Sequence, residues 1–364
     1  MRVVYLNCLR PPADLGPEAV LAAWPTLAQV PAAVSRAGVH VDVVVAATVE
    51  AALQRDGVAY WFVPGGPRRV AEAVAGCEPD VVHQQSLHFA RHTRAVQRRL
   101  PRVPVLVQDH GGQVPQGWRR LVAAWGARHI GGAAFTAREQ AEPYRRSGIL
   151  RRGTPVFEVL ESSTLFTPGD QAAARATTGL HGDPCVLWVG RLDGNKDPLT
   201  VLDALARASR DLPDPHLWMG YTAAPLLRQV QRRVTSDPVL CRRVHLLGAV
   251  PHDRIETFYR AADCFVLASH VEGSGYALLE ALACGTPALV TDIPSFRRIT
   301  ADGEAGALVP PGDAAAMARA LVACSRVDRA ELRRAARARF ERGLSFAALA
   351  SEHREAYQAL AGER

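Results

Sequence analysis

The chain carries 43 lysine and arginine residues, and lysine occurs once among them, as Lys196. It stands in the segment Gly190-Arg191-Leu192-Asp193-Gly194-Asn195-Lys196-Asp197-Pro198. A compact ammonium on a flexible stem, close to a planar guanidinium fork, suits the gripping of phosphate oxygens. The bland alternative is an ordinary exposed lysine in an arginine-biased chain. A second segment, Glu272-Gly273-Ser274-Gly275-Tyr276-Ala277-Leu278-Leu279-Glu280, places seven residues between two carboxylates. Glu280 there suits hydroxyl groups such as those of a ribose, and Glu272 suits a second polyhydroxyl group. The amides of Gly273 to Tyr276 would receive anionic oxygen between them. The alternative reading is a helix-start carboxylate that complements the macrodipole, together with a solvated loop glutamate.

The flanking residues indicate which elements must hold these groups. Cys185 to Val189 is an unbroken apolar run of strand length, as expected of a strand buried on both faces of a parallel sheet. Asp197 can cap, and Pro198 can open, a helix whose apolar residues Leu199, Leu202, Leu205 and Ala206 recur at helical spacing. The order strand, polar loop, helix puts Arg191 and Lys196 beyond the carboxyl end of a strand and beside a helix N-terminus, where open α/β sheets bind ligands. In the second segment Ser274 is expected to cap a helix through Leu278, Leu279 and Leu282 that stops near Gly285, with Pro287 beyond.

A length of 364 residues accommodates two domains, and 48% hydrophobic with 22% charged residues is ordinary globular composition. Strand-like runs at Arg2 to Leu6, His40 to Val45, Val58 to Val63, Asp80 to His83, Val103 to Val107 and Val156 to Leu160 alternate with helices, one of them expected from Pro17 to Arg36. After a junction around Ser162 to Pro184, a second series runs through Val186 to Val189, His216 to Met219, Val244 to Leu247, Cys264 to Leu267 and Ala288 to Thr291, with a helical tail from about Asp313. This alternation specifies two Rossmann-like, doubly wound parallel-sheet domains facing each other across a cleft. Their expected bounds are 1–165 and 166–344, with a C-terminal helix at 345–364 packing back towards the first domain.

The net charge of +7 admits nucleic acid, an anionic lipid surface or small anions as partners. The densest basic run, Arg333, Arg334, Arg337 and Arg339, lacks interleaved aromatic residues, which argues against a nucleic-acid platform and for a solvated helix face. The seven cysteines show neither metal-ligand spacing nor a disulfide framework and are expected as reduced, mostly buried thiols. With no signal-peptide pattern and no run of apolar residues long enough to span a bilayer, the expected location is cytoplasmic, peripheral membrane contact remaining open. Gly65-Gly66 and Gly111-Gly112 do not make the glycine fingerprint of a dinucleotide-dependent oxidoreductase.

Together the two segments resemble the donor-binding half of the family 4 glycosyltransferases, retaining enzymes of the GT-B fold. The matching positions are Gly190-Arg191 with Lys196, the run Ala262 to Ser269, and Glu272 through Glu280 followed by Ala281 to Pro287. The resemblance is strong over about Val186 to Gly312. It implies that Arg191 and Lys196 neutralise the diphosphate of a UDP- or GDP-type nucleotide sugar, and that Glu280 binds the ribose. It further implies that Glu272, with Gly273, Ser274, Gly275 and Tyr276, holds the transferred sugar, and that Gly248 to Val250 lie near the base. His110, after the strand Val105 to Gln108, falls where the family places a histidine beside the sugar; a turn histidine bonded to backbone is the alternative. His110, Glu272, Arg191 and Lys196 are thus the expected catalytic groups. No cofactor is expected, and the absence of an Asp-x-Asp pair leads to the expectation of no metal. The loop Asn7 to Pro12 lacks the family's glycine pair, and Glu161 to Pro168 stands where many relatives carry Asn-Gly, so the acceptor stays open. Retaining sugar transfer is the leading reading. A nucleotide-sugar 2-epimerase or hydrolase, or a non-catalytic sugar-nucleotide binding protein, would use the same donor site.

Overall fold

The computed structural model describes residues 1–110 and 114–362; Gly111 and Gly112 lie outside the described residues. The chain divides into two compact units, Met1–Ser162 with Phe346–Arg364, and Ser163–Ser345. The expected bounds were 165/166 and 344/345.

Among the described residues the first unit is built on eight strands: β1 (Arg2–Asn7), β2 (His40–Ala47), β3 (Ala51–Arg55), β4 (Val58–Pro64), β5 (Val81–Gln85), β6 (Val105–Gln108), β7 (Gly132–Phe135) and β8 (Val156–Glu158). Their order across the sheet is β3-β4-β2-β1-β5-β6-β7-β8, all parallel except the β3–β4 pair. Val4, Leu6, Val44, Val82, Val107 and Phe135 share one core cluster. The final helix, Phe346–Gly362, packs on this unit: the Tyr357 hydroxyl donates to Tyr5 Oη at 2.7 Å and lies 2.7 Å from His83 Nδ1, all three residues buried.

The second unit has six strands: β9 (Cys185–Gly190), β10 (His216–Tyr221), β11 (Val244–Gly248), β12 (Cys264–Leu267), β13 (Ala288–Thr291) and β14 (Gly306–Val309). They are all parallel, in the order β11-β10-β9-β12-β13-β14. Numbered within the unit this is 3-2-1-4-5-6, the doubly wound order in which strand progression reverses beside the first strand. Val186, Leu187 and Trp188 on β9 are at most 1% exposed, as a strand covered on both faces requires.

Several local expectations are corrected. The helix expected from Pro17 to Arg36 is two, Pro17–Ala23 and Thr26–Arg36, because Trp24 precedes Pro25 and takes a non-helical conformation (φ −123°, ψ 76°) that ends the first. β3, β7 and β14 were not anticipated. β7 and β14 read Gly-Ala-Ala-Phe and Gly-Ala-Leu-Val, and their glycines answer to neighbours in space: a Cβ on Gly306 would sit 2.1 Å from the Ala288 carbonyl oxygen, and one on Gly132 2.7 Å from the Phe157 ring. In the arginine-rich helix Arg329–Gly343, Arg334 is exposed as expected, but Arg333, Arg337 and Arg339 are not simply solvated. Arg333 donates to the carbonyls of Ala262 and Arg260, Arg337 to those of Ala283 and Phe166, and Arg339 to those of Ile299 and Arg298. Most of these carbonyls close the C-terminal ends of three helices, His252–Ala261, Tyr276–Ala283 and Pro294–Thr300. There guanidinium groups satisfy orphan acceptors and meet the negative end of the helix dipole. All seven cysteines are free; Cys8, Cys185, Cys264 and Cys284 are buried and Cys241 is exposed.

Candidate functional site

The reversal of strand order in the second unit lies between β9 and β12, so the loops that follow these two strands converge at one crevice edge. Asn195 ties them together. Its side-chain amide donates to the Val271 carbonyl at 2.9 Å and accepts from the Val271 amide at 3.1 Å, while its own carbonyl accepts from the His270 amide at 2.9 Å. The turn before it is set by Asp193, whose carboxylate accepts from the amides of Asn195 and Lys196 at 3.1 and 3.0 Å. Asp197 caps the helix Pro198–Ala208 as expected, accepting from the Thr200 amide at 3.2 Å and hydroxyl at 2.7 Å.

This framework brings Lys196 and Glu272 into a direct ion pair, with side chains only 18% and 11% exposed. Neither the exposed-lysine nor the solvated-glutamate alternative survives that burial. Arg191, on the same loop, is 63% exposed, and its Nε lies 3.2 Å from the Asp193 carboxylate. An ammonium has three donors, so the Glu272 pair leaves Lys196 able to serve a second acceptor.

Glu280 lies inside the helix Tyr276–Ala283 and is 11% exposed in its side chain. It accepts a hydrogen bond from the buried Tyr259 hydroxyl at 2.9 Å, and its other carboxylate oxygen is 3.9 Å from His252 Nδ1. Burial raises its pKa from the ordinary 4.5 to about 7, against the lowering effect of the Tyr259 bond. The helix begins differently from the expectation. Ser274 does not cap it; Gly275 does, in the left-handed region at φ +59°, and a Cβ there would stand 2.8 Å from the Phe296 ring. Gly275→Ala is therefore expected to cost about 1–2 kcal/mol from the backbone alone, before any ring displacement. Urea denaturation checks this, and an unchanged midpoint would remove the claim that the loop is built around a glycine. Gly248 ends β11 at φ +70°, and Val250 follows, its methyl 3.5 Å from where a Gly220 Cβ would be.

His110 belongs to the first unit and follows β6. Its Nδ1 is 3.0 Å from the carboxylate of Glu161, with side chains 43% and 9% exposed. Burial opposes protonation of His110, but the Glu161 hydrogen bond and charge, with the charge of Asp109, outweigh it and raise the pKa above the ordinary 6.5. His110 is thus held by a carboxylate and not by backbone alone. His110 and Glu161 wall a cavity of about 220 Å³ to which Asn7 and Leu9, from the loop after β1, also contribute. His83, on β5, is fully buried in the tyrosine cluster beneath the last helix, and desolvation first, then nearby His353 and His110, lowers its pKa well below 6.5. Sequence reasoning missed Glu161, Asn195 and Tyr259 as site components. Only Glu161 carried a signal, as a carboxylate in a position where relatives differ.

Residues 183–326 match the family model described as Glycosyl transferases group 1. The resemblance read from the loops after β9 and β12 falls within that segment and is borne out by it. The chain is similar to a D-inositol 3-phosphate glycosyltransferase of Nocardia farcinica, 33% identical over 221 residues covering 59% of this chain and 48% of that protein. It is also similar to one of Mycolicibacterium gilvum, 37% identical over 150 residues covering 40% of this chain and 33% of that one. The matches thus span half or less of those relatives' length. Among solved structures, a glycosyltransferase from Rickettsia africae superposes with a TM-score of 0.75 at 14% identity, covering 99% of this chain and 98% of that one. The Anabaena protein HepE, in complex with UDP and glucose, superposes with a TM-score of 0.72 at 15% identity, covering 99% and 100%. The fold is accordingly the GT-B fold, two Rossmann-like parallel-sheet units with a helical C-terminal tail. Among the described residues no helix is long and apolar enough to cross a membrane.

Proposed function

We propose that the chain is a retaining glycosyltransferase that takes its sugar from a nucleoside diphosphate sugar. The observation that carries this reading is the Lys196–Glu272 ion pair joining the two loops at the strand-order reversal, with Arg191 on the first loop and Glu280 in the helix after the second. In this reading Arg191 and Lys196 stabilise the charge that develops on the departing diphosphate. Glu280 takes the ribose hydroxyls, Glu272 with Gly273 to Tyr276 takes the sugar, and Gly248 to Val250 border the base. His110, held by Glu161 beside a small cavity, is assigned to the reacting sugar, and that cavity to part of the acceptor.

A thermal-shift screen of UDP, GDP and ADP sugars tests the donor class, since a ligand at a hundred times its Kd stabilises by about 2.7 kcal/mol. UDP is the first to try, because a protein of the same fold was solved in complex with it. No shift with any of them would overturn the reading. With the donor identified, incubation without acceptor separates transfer from the alternatives: an epimerase converts the donor and a hydrolase releases free sugar, whereas a transferase leaves it largely intact.

The two carboxylates are expected to divide the donor. Glu280→Gln should weaken both the free nucleoside diphosphate and the intact sugar nucleotide in calorimetry, and Glu272→Gln only the intact donor. Equal losses for both ligands in both variants would mean that the pair merely stabilises the loop and helix start. With side-chain cations already present for the diphosphate, turnover in excess EDTA is expected to stay within about twofold of the untreated rate. Loss of activity restored by magnesium or manganese would overturn metal independence.

A further inference from the structure

Away from these loops, three histidines in the second unit bring one ligand nitrogen each to within 4.8 Å of one another: His181, His216 and His245. His216 is the first residue of β10 and His245 the second of β11. They stand at the amino end of the sheet, roughly 17 Å of strand from the carboxyl-end loops. His216, Trp218 and His245 share one sheet face, since Trp218 pairs with His245 in register and lies two residues after His216. The Trp218 indole stacks on His245 with centroids 3.8 Å apart and planes 14° apart.

His181 is brought over these rings by backbone bonds that do not involve its own ring. The amides of Asp183 and Asp214 bond each other's carbonyls at 2.6 and 2.9 Å, the His216 amide bonds Pro184 O at 3.0 Å, and Trp218 Nε1 donates to His181 O at 3.0 Å. Gly182 permits the approach, because a Cβ there would lie 2.8 Å from His216 Cβ. The rings also have the outer partners that fix metal-binding tautomers. His181 Nδ1 is 3.1 Å from the Gly179 carbonyl, which leaves Nε2 as the lone-pair nitrogen. His216 Nε2 is 3.4 Å from the Asp214 carboxylate, which leaves Nδ1, and that atom faces His245 Nε2 at 2.8 Å.

We propose that His181, His216 and His245 form a three-histidine site for Zn²⁺, with water in the fourth position and with Asp214 and the Gly179 carbonyl as its outer shell. Zinc–nitrogen bonds of about 2.0–2.1 Å place tetrahedral ligand nitrogens about 3.3 Å apart, so the His216–His245 pair opens by about half an ångström on loading. The ion replaces the proton the two rings share; His245 carries its proton on Nδ1 instead, and both rings remain neutral. The site clamps the segment before β9 to the starts of β10 and β11, and its effect falls on stability and not on turnover.

The test is titration of ZnCl₂ into the full chain after EDTA treatment and desalting, followed by calorimetry, with Co²⁺ absorption as a second readout of tetrahedral geometry. One Zn²⁺ per chain is expected, with a raised Tm and turnover unchanged. His216→Ala and His245→Ala should abolish binding. Because these part-buried positions also bear on folding, His181→Gln at the exposed position is the decisive variant: it should fold and bind Zn²⁺ at least about tenfold more weakly, and Asp214→Asn about tenfold more weakly. Absence of zinc uptake, uptake unaltered in His181→Gln, or uptake abolished by Cys241→Ser would each overturn the proposal.

Discussion

Lys196→Ala is expected to lower kcat by about ten- to a hundredfold, the equivalent of a charge-assisted bond of about 1.5–3 kcal/mol realised as the diphosphate departs. Arg191→Ala is expected to act in the same direction. Arg191 is largely exposed and paired with Asp193 on its own loop, so its removal leaves the fold intact. Lys196 differs, because its loss strands a largely buried Glu272. The double variant Lys196→Ala with Glu272→Gln separates the two consequences. If the fall in kcat reflects only the stranded carboxylate, the double variant matches Glu272→Gln alone; if it reflects lost stabilisation of the leaving group, its kcat lies well below that of Glu272→Gln. Steady-state kinetics with varied donor decide between them, and near-normal kcat with raised KM in both single variants would leave the cations a binding role alone.

Stability of the unliganded protein is expected to fall as pH rises from about 4.5 to 7, with Glu280 contributing about 3 kcal/mol of that fall. The sign follows from the direction of the shift. Burial raises the folded-state pKa above that of the unfolded chain, so within this window the folded protein holds a proton that the unfolded protein has released. Stability is therefore full at the acid side and is lost on the way to neutrality. Glu280→Gln has no such proton and should be more stable than the wild type above pH 7, with the difference vanishing near pH 4. Urea denaturation of both proteins across this range isolates Glu280 from every other titrating group. Parallel pH profiles would show that its carboxyl group titrates alike in the folded and unfolded chains.

The elements that carry the donor loops were legible because their signals are local. An apolar run marks β9, and Asp197-Pro198 marks a helix start whose cap bonds are as expected. What stayed hidden depends on neighbours distant in sequence. Lys196 and Glu272 are 76 residues apart, and nothing in either segment tells the ammonium to meet that carboxylate in the unliganded state. Glu161 is 51 positions from His110 and read only as a departure from a family pattern. Ser274 has the chemistry of a cap, yet Gly275 takes the position because the chain must turn left-handed against Phe296. β7 and β14 are likewise glycine- and alanine-rich because another chain segment lies against them, a steric demand that propensity does not register.

The helix Arg329–Gly343 has a consequence for how the second unit comes into being. Its guanidinium groups reach carbonyls 40 to 171 positions earlier in the chain. During synthesis the helices ending at Ala283 and Thr300 emerge before these guanidinium groups exist, and the last of the bonds closes only after residue 339 has been added. Contacts of such span form late, once the entropy of closing long loops has been overcome. Until this stretch docks, Phe166, Ala283, Arg298 and Ile299 lack the arginine donors that tie them to one helix. A chain that stops short of residue 339 therefore leaves the carbonyls of Arg298 and Ile299 without their guanidinium donor.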